Sequence, residues 1–297
     1  MTDPTLRLNA STWLAGARPR TLPAAVVPVA LGAVVGVGEG GARWWAVVLA
    51  LLVSLALQVG VNYANDYSDG IRGTDEVRVG PVRLVASGLA AAGAVKRAAF
   101  AAFGAAAAAG LVLAATTSWW LLGVGVASML AGWFYTGGSH PYGYLGLGEV
   151  FVFVFFGLVA TVGTTFVVLG RLPALSWLLG CIAGCLACAL LVVNNLRDIP
   201  TDREVGKRTL AVRLGDRRTR WFYVLLLGAA FSLMVAAALV GAWGAVLGLA
   251  AVALAGAPVR TVLGGAAGRE LIAVLGGTGK VQLVAGALVT IGIAVTA

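Results

Sequence analysis

Two stretches of the sequence place carboxylates and amides at the ends of long apolar runs. They read "NYANDYSDG" from residue 62 and "NNLRDIPTD" from residue 194. Both contain an Asn followed four residues later by an Asp, with a second Asp three or four residues further on. The side chains concerned are Asn62, Asp66 and Asp69 in the first stretch, and Asn194, Asn195, Asp198 and Asp202 in the second.

This spacing puts the polar side chains of each stretch on one face if the stretch is helical, because positions three and four apart are neighbours on a helix. Four carboxylates brought into one poorly solvated pocket would repel one another unless cations neutralised them. Mg²⁺ is the ion that suits oxygen ligands and is commonly held by a few carboxylates together with substrate phosphates. We therefore predict a magnesium site formed by both stretches.

Basic side chains accompany the carboxylates in both charged segments. They are Arg72, Arg78, Arg83, Arg197, Arg203, Lys207 and Arg208. Carboxylates with a bound metal, flanked by Arg and Lys, are typical of a diphosphate-binding site. Arg72, Lys207 and Arg208 are the predicted diphosphate contacts, and the alternative for each is a charge that only sets membrane topology.

Two other interpretations compete with the diphosphate site. One charged loop alone would be as well explained by Asp and Arg pairing on a solvated surface, but a repeated Asn-x3-Asp argues against that explanation. The segment "DYSDG" also begins like the signature of CDP-alcohol phosphotransferases. That signature continues with Ala-Arg, whereas Gly73 and Thr74 stand here, and the second Asp pair lies over a hundred residues away.

The elements that carry these residues are membrane helices. The 297 residues are 60% hydrophobic and 11% charged, with a mean hydropathy of +0.95. Each crossing needs roughly 20 apolar residues, and we predict nine spans in an all-α polytopic bundle that forms one domain over residues 1–297. The predicted spans are 21–38, 44–64, 98–115, 118–136, 149–169, 175–195, 221–241, 243–262 and 280–297.

The net charge of +9 is explained by membrane topology rather than by nucleic-acid binding. With a cytoplasmic N-terminus, all Lys and Arg except Arg43 and Arg171 lie inside or at inner helix ends, as the positive-inside rule requires. The polar N-terminus lacks the features of a cleavable signal peptide. We therefore expect a multi-pass protein of the cell membrane with its active site on the cytoplasmic side.

The two stretches also suggest an internal repeat. Asn62-x3-Asp66 and Asn194-x3-Asp198 share their spacing and their place in the helix pattern, with four predicted spans between them. The chain is therefore interpreted as two four-helix halves plus a ninth helix. The 42 glycines fit close helix packing, and Cys181, Cys185 and Cys188 are interpreted as small packing residues rather than metal ligands.

These residues resemble the UbiA superfamily of intramembrane aromatic prenyltransferases, and within it the 1,4-dihydroxy-2-naphthoate polyprenyltransferases of menaquinone biosynthesis. The resemblance extends over nearly the whole chain, through "RPRTLPAAVVPVALG", "NYANDYSDGIRGTDEVRVGPVRL", "YTGGSHPYGYLGLGEVFVFVFFG" and "NNLRDIPTDREVGKRTLAVRLG". It implies nine helices around a cavity that opens laterally to lipid. Gly73 stands where the general superfamily motif has its last Asp, with Asp75 two residues later, which looks like the naphthoate branch.

The resemblance implies a set of site residues and a reaction. Mg²⁺ and the diphosphate of an isoprenoid donor would be bound by Asn62, Asp66, Asp69, Asn195, Asp198 and Asp202, the four Asp being the catalytic carboxylates. The implied reaction transfers a polyprenyl group from polyprenyl diphosphate to 1,4-dihydroxy-2-naphthoate, with loss of CO₂ and diphosphate, and gives demethylmenaquinone. Expected acceptor contacts, chosen by position, are Arg20, Tyr135, Tyr142, Tyr144 and Glu149; His140 is not assigned a role.

Two other functions stay open on the sequence alone. One is a UbiA-type enzyme that uses another aromatic acceptor, such as 4-hydroxybenzoate or homogentisate. The other is an ion-coupled transporter, since transporters are also built from repeats. Transporters place polar sites near the bilayer midplane, whereas the Asp residues of the two motifs lie at inner helix ends, so the sequence favours the enzyme.

Overall fold

The computed structural model describes residues 10–41, 43–74 and 82–296, so Asp75 and Arg78 lie outside the described residues. That part of the chain is helical and contains no β-strand. Its α-helices are, in chain order, α1 Ala10–Ala17, α2 Pro23–Gly38, α3 Trp44–Ile71, α4 Ala92–Thr116, α5 Leu121–Phe134, α6 Gly148–Val152, α7 Ala160–Leu169, α8 Ala174–Glu204, α9 Leu210–Leu214, α10 Asp216–Leu239, α11 Val252–Leu263 and α12 Glu270–Thr296.

Shorter helical segments of other types connect several of these helices. A 3-10 turn at Pro19–Thr21 joins α1 to α2, and a second one at Tyr142–Leu145 precedes α6. A π-helical segment at Phe153–Val159 joins α6 to α7, and a 3-10 segment at Trp243–Ala251 leads into α11. The continuous runs Gly148–Leu169 and Trp243–Leu263 are therefore each long enough to act as one membrane span.

Seven helices among the described residues are long and apolar enough to cross a membrane. An eighth span results if α2 is counted together with α1 and the intervening turn, which meet it at a bend of 54°. Helix α5, with 14 residues, is shorter than a full crossing needs. The prediction of an all-helical multi-pass bundle is confirmed, while the count of nine spans is not.

The two motif-bearing helices continue past the ends of the predicted spans. Helix α3 runs to Ile71 and α8 runs to Glu204, so both polar motifs are helical throughout. The chain turns soon after each helix at Gly73 and Gly206, whose φ angles are +70° and +77°. Left-handed backbone near a helix end favours glycine, which gives a structural reason for Gly73 where the superfamily motif has an Asp.

Helices of the two halves pair in the same way and enclose a cavity between them. Helix α3 packs mainly on α4, and its counterpart α8 packs mainly on α10. The largest apolar core lies among α2, α8, α10 and α12, with Leu31, Ile182 and Met234 fully buried. Backbones approach closely at Gly157, where an added Cβ would lie 2.6 Å from the Cα of Gly184. Small residues therefore allow the π-helical segment to pack directly on α8.

Two of the three cysteines of α8 lie in the interior of the bundle. Cys185 and Cys188 are buried, and the Cys188 thiol donates to the Glu149 carbonyl oxygen at 3.1 Å. No group of three or more His, Cys, Asp or Glu side chains suited to a metal occurs within the described part of the chain.

Candidate active site

One cavity between the two halves of the bundle receives side chains from both polar motifs. Its volume is about 370 Å³. The polar end is formed by the C-terminal parts of α3 and α8, and the opposite walls are formed by apolar and aromatic side chains of α5, the α6–α7 run and α8. A ligand that fits this cavity would have a charged head and a hydrocarbon body.

The first motif contributes Asn62, Asn65 and Asp69 to the cavity lining. The Asn62 amide nitrogen donates to the Ala17 carbonyl oxygen at 2.9 Å and to Thr21 Oγ1 at 3.1 Å, so the start of the chain holds this amide in place. Asp69 is only 3% exposed. Asn65 is not among the predicted site residues. Its position one helical turn before Asp69 would have indicated that it shares the face of α3 that lines the cavity.

Asp66 has a different position from the one predicted for a metal ligand. It is fully buried and does not line the cavity. Its two carboxylate oxygens accept hydrogen bonds from the backbone amides of Leu84 at 2.8 Å and Val85 at 3.0 Å. Asp66 therefore fixes the segment that returns after α3, and that segment carries Arg83.

The second motif contributes Asn194, Asn195, Asp198 and Asp202, all lining the same cavity. The prediction that both motifs face one pocket thus agrees with the structure for these positions. The Asp198 carboxylate accepts from the guanidinium of Arg197 through both oxygens, at 2.7 and 2.8 Å. Both partners are buried, so removal of either one would leave an uncompensated charge in the interior.

Glu149 lies behind the cavity rather than in its lining. It is 5% exposed, and its Oε1 accepts a hydrogen bond from the Asn195 side-chain nitrogen at 3.0 Å. Its Oε2 is buried and has no hydrogen-bond partner in the described structure. The contact fixes the orientation of the Asn195 amide, which lines the cavity. Glu149 was predicted as an acceptor contact, and its position instead fits a residue that orients Asn195.

Two basic side chains reach the polar end of the cavity. Lys207 Nζ lies 3.2 Å from Asp69 Oδ1, and the Arg83 guanidinium lies 3.7 Å from Asp69 Oδ2. Both side chains are buried and both line the cavity. Of the predicted diphosphate contacts, Lys207 therefore lines the cavity, and it is joined there by Arg83, which was not among those predicted contacts.

The other two predicted diphosphate contacts lie outside the cavity. The Arg72 guanidinium donates to the carbonyl oxygens of Thr136 and Gly138, which ties the end of α3 to the turn after α5. The Arg208 side chain is exposed, and its backbone amide donates to the Tyr144 carbonyl oxygen at 2.9 Å. These two residues hold the loops that cover the cavity and do not line it.

The three predicted tyrosines do line the cavity. The Tyr144 hydroxyl donates to Asp69 Oδ1 at 2.5 Å. Burial, and next the Asp69 carboxylate, raise the pKa of Tyr144, so this hydroxyl stays a donor at neutral pH. The Tyr142 ring stacks on Phe151 with centroids 3.9 Å apart and meets Tyr135 edge to face at 5.5 Å. These rings form an aromatic wall next to the carboxylates.

Arg20 and His140 lie away from the cavity. Arg20 is exposed and points to a separate groove on α12, which corrects its prediction as an acceptor contact. His140 is exposed beside Ser139. The arginine that lines the cavity from the N-terminal segment is Arg18, with a left-handed backbone at φ +53° where the chain bends between α1 and α2. A strained non-glycine residue of this kind is frequent at functional sites, but its φ angle could not be predicted from "RPR".

The oxygen donors at the polar end fit Mg²⁺ by their chemistry. Asp69, Asp198 and Asp202 offer carboxylates, and the nearby Asn side chains offer amide oxygens. A metal here would be held by a few of these side chains and would complete its shell with oxygens of the bound substrate. Mg²⁺ bound with a phosphorylated substrate is normally held in that manner.

The sequence model of the UbiA prenyltransferase family matches residues 25–263. The chain is 51% identical over 256 residues to a 1,4-dihydroxy-2-naphthoate octaprenyltransferase from Mycobacterium tuberculosis, covering 85% of this chain and 87% of the relative. It is 36% identical over 222 residues to the 1,4-dihydroxy-2-naphthoate octaprenyltransferase from Escherichia coli, covering 72% of each chain.

Two solved structures have the same fold. A UbiA homolog from Aeropyrum pernix K1 superimposes with a TM-score of 0.71 at 16% identity, over 92% of this chain and 96% of the homolog. A UbiA homolog from Archaeoglobus fulgidus, bound to GPP and Mg²⁺, superimposes with a TM-score of 0.63 at 16% identity, over 94% and 99% of the two chains.

Proposed function

The chain belongs to the UbiA prenyltransferase family, and we propose that it is the member that transfers a polyprenyl group to 1,4-dihydroxy-2-naphthoate. Carboxylate and diphosphate leave as CO₂ and free diphosphate, and the product is the prenylated naphthoquinol, demethylmenaquinol, which is the reduced form of demethylmenaquinone. The relatives at 51% and 36% identity carry that activity in their names. The protein is an aromatic prenyltransferase of menaquinone biosynthesis.

The observation that carries this proposal is the cavity with one polar end and apolar walls. The motifs of α3 and α8 supply carboxylates, amides and buried cations at one end, and valine, leucine and phenylalanine side chains line the remainder. A polyprenyl diphosphate has the same division between a highly charged head and a long hydrocarbon. Such a donor is too apolar for water, which explains why the site is built inside a membrane bundle.

Mg²⁺ is the proposed cofactor, and Asp69, Asp198, Asp202, Asn62 and Asn195 are the residues that would hold it. When bound, it supplies positive charge to the diphosphate and thereby makes the diphosphate a better leaving group. The Archaeoglobus fulgidus homolog is described with Mg²⁺ and GPP, and its fold is shared by this chain. Asp66 contributes through the segment it holds, since it lies outside the cavity lining and its oxygens accept from Leu84 and Val85.

The buried cations of the chain are proposed to stabilise the departing diphosphate. Lys207 and Arg83 lie at the cavity end where Asp69 is found. As the allylic carbon–oxygen bond breaks, its electron pair moves to the diphosphate, and fixed positive charge in a desolvated site stabilises that change strongly. The allylic cation left behind then meets the electron-rich ring of the acceptor.

The aromatic wall is proposed to hold the acceptor beside the donor. Tyr135, Tyr142 and Phe151 present ring faces and edges to the cavity, and a naphthoate ring can stack on them. The Tyr144 hydroxyl, already bonded to Asp69, joins this wall to the polar end. Attack of the ring on the allylic carbon forms the new carbon–carbon bond, and loss of the carboxylate as CO₂ restores the aromatic ring.

The protein is a multi-pass membrane protein, and we propose that it resides in the cell membrane with its N-terminus and its site on the cytoplasmic side. The positive-inside distribution of Lys and Arg supports this orientation. A cytoplasmic polar end would receive the water-soluble naphthoate directly, while the donor would reach the cavity from the bilayer.

An acceptor competition assay tests the proposed substrate. Purified protein in mixed micelles would receive Mg²⁺, a polyprenyl diphosphate and equal amounts of 1,4-dihydroxy-2-naphthoate, 4-hydroxybenzoate and homogentisate. We expect one dominant prenylated naphthoquinol by mass spectrometry. A dominant prenyl-hydroxybenzoate or prenyl-homogentisate product would assign the chain to another acceptor within the family, and the absence of any Mg²⁺-dependent product would refute the enzyme.

A further inference from the structure

A second concave site lies on the outside of the bundle, between the Pro19–Thr21 turn and one face of α12. Arg20 lines one side of it, and Arg269, Gly276, Gly279, Lys280 and Leu283 line the other. We call this site the α12 groove. It is distinct from the active-site cavity, because Arg18 and Thr21 of the same turn and Leu275 of α12 face the cavity instead.

The α12 groove is basic at its polar positions. Arg20, Arg269 and Lys280 are exposed, and none of the three forms an ion pair with another side chain in the portion of the chain described. Three unneutralised cations around one depression produce a local positive potential that attracts an anion. The function proposed above makes no use of them.

The groove becomes apolar along α12 in the direction of the bilayer. Gly276, Lys280 and Leu283 are spaced by four and three residues, so they share one face of α12, and Arg269 stands in the turn just before this helix. Lys280 stands ten residues after the first residue of α12, a rise of about 15 Å, and Leu283 is 46% exposed beyond it. A charged head near Lys280 and hydrocarbon along Leu283 would match this order.

Gly279, next to Lys280, faces the turn that carries Arg20. An added Cβ at Gly279 would lie 3.7 Å from the Arg20 carbonyl oxygen. The Pro19–Thr21 turn therefore packs closely on α12 at the level of Lys280, which brings Arg20 and Lys280 to one depth of the bundle. This is the depth at which a phospholipid phosphate would meet them if Lys280 marks the membrane interface.

We propose that the α12 groove is a binding site for an anionic phospholipid, with the phosphate at Arg20 and Lys280, the acyl chains along Leu283, and Arg269 adding positive charge at the other end of the groove. Basic pockets at the cytoplasmic side of membrane helices recognise such headgroups. A soluble phosphate would satisfy the cations but would gain nothing from the apolar end. The lipid is thus the occupant that uses both parts of the groove.

Occupation of the groove would also stabilise the active site, because the two share the Pro19–Thr21 turn. Thr21 Oγ1 accepts hydrogen bonds from Gln58 at 2.9 Å and from Asn62 at 3.1 Å. A lipid that holds Arg20 against α12 also holds this turn against α3. Anionic lipid should therefore raise the thermal stability of the purified protein, whereas a zwitterionic lipid should not.

The test compares lipid binding to two triple variants of the full chain in detergent. The groove variant is Arg20→Gln, Arg269→Gln and Lys280→Gln; the control variant is Arg217→Gln, Arg218→Gln and Arg260→Gln, three exposed residues outside the groove that remove the same charge. Native mass spectrometry measures bound dioleoyl phosphatidylglycerol, and a thermal shift assay compares that lipid with dioleoyl phosphatidylcholine and with inorganic phosphate.

We expect the groove variant to bind phosphatidylglycerol at least about tenfold more weakly than the wild type, and the control variant to change less than about threefold. Equally weakened binding of phosphatidylglycerol in both variants would mean that overall charge attracts the lipid, and it would refute a specific site in the groove. A stabilisation by inorganic phosphate equal to that by phosphatidylglycerol would overturn the lipid as occupant. If the triple groove variant does not fold, Lys280→Gln and Arg260→Gln form the matched pair, and equal lipid binding by these two refutes the proposal.

Discussion

At the scale of single residues, the candidate site depends on which of the polar side chains point into the cavity. Lys207 and Arg208 are neighbours in sequence, and both were predicted to contact the diphosphate. Lys207 is buried against Asp69, while Arg208 is exposed and outside the cavity lining. This adjacent pair allows a charge-matched test.

Lys207→Gln is expected to lower kcat/KM for the polyprenyl diphosphate by about 100-fold, because a fixed cation beside the leaving group is removed. Arg208→Gln is the control and should retain activity within about threefold. Steady-state kinetics with the donor as the varied substrate measures both. Equal losses in the two variants would mean that net charge, rather than position in the cavity, determines the effect.

Glu149 is expected to act through Asn195. Glu149→Leu removes the acceptor of the Asn195 side-chain nitrogen, so the Mg²⁺ concentration for half-maximal activity should rise by about tenfold or more. Glu149→Gln keeps an acceptor oxygen and should give a smaller rise. Magnesium titrations of initial rates measure the difference, and an unchanged magnesium requirement in Glu149→Leu would exclude an orienting role.

We expect Asp66 to act mainly in stabilising the fold rather than in binding Mg²⁺. Asp66→Asn replaces one acceptor oxygen by a donor that faces the amide of Leu84 or Val85, and an unsatisfied buried group of this kind costs about 1–3 kcal/mol. The variant should therefore unfold at lower temperature and lose activity, with the magnesium requirement of the remaining activity little changed. A large increase in that requirement without loss of stability would instead show a ligand.

At the scale of elements, close helix contacts at glycine hold the bundle together. An added Cβ at Gly244 would lie 1.9 Å from the Gly292 carbonyl oxygen, so the 3-10 segment before α11 touches α12 directly. An added Cβ at Gly256 of α11 would meet no atom within 4 Å. The two glycines therefore differ sharply in the space available for an added methyl group.

Gly244→Ala is expected to destabilise the protein by about 1–3 kcal/mol, because two backbones must move apart. Gly256→Ala should be neutral or stabilising by up to about 1 kcal/mol, since alanine favours the helix. Thermal unfolding of both variants in the same detergent compares them. If Gly256→Ala were the more destabilised of the two, the packing of α12 on the 3-10 segment would be contradicted.

Helix periodicity explains why much of the site could be predicted. The positions of Asn62 and Asp69 on α3, and of Asn195, Asp198 and Asp202 on α8, follow from spacing alone. The role of Asp66 cannot be predicted from spacing, because its carboxylate binds backbone amides of residues 18 and 19 positions later in the chain. The local sequence pattern predicts which helix face a residue occupies. Contacts distant in sequence determine which groups its side chain binds.

At the scale of the whole molecule, the chain is a helical bundle in which the two motif-bearing helices, α3 and α8, each pack mainly on one neighbour, α4 and α10. Apolar runs identified the membrane helices, but the sequence did not show that α5 is short or that α1 meets α2 at a sharp bend. Such bends depend on neighbours rather than on hydropathy. The same bend separates Arg18, which lines the cavity, from Arg20, which lines the α12 groove.

The proposed orientation predicts the accessibility of two surface positions. In a variant with its three cysteines replaced by alanine, Ser139→Cys lies at the polar-motif side of the bundle and Leu172→Cys lies in the turn between α7 and α8; both residues are exposed. A membrane-impermeant thiol reagent added to intact cells should label the cysteine at 172 and spare that at 139. The reverse pattern would place the site on the outside.

The central claim is that the cavity joins a polyprenyl group to a naphthoate ring that loses its carboxylate. Its most direct test supplies purified protein with Mg²⁺, a polyprenyl diphosphate and 1,4-dihydroxy-2-naphthoate labelled in the carboxyl carbon, and measures released CO₂ against prenylated naphthoquinol. We expect one CO₂ for each product molecule, and for Asp69→Asn a rate lower by about 100-fold or more. Prenylated product with the label retained, or an undiminished rate in Asp69→Asn, would contradict the account.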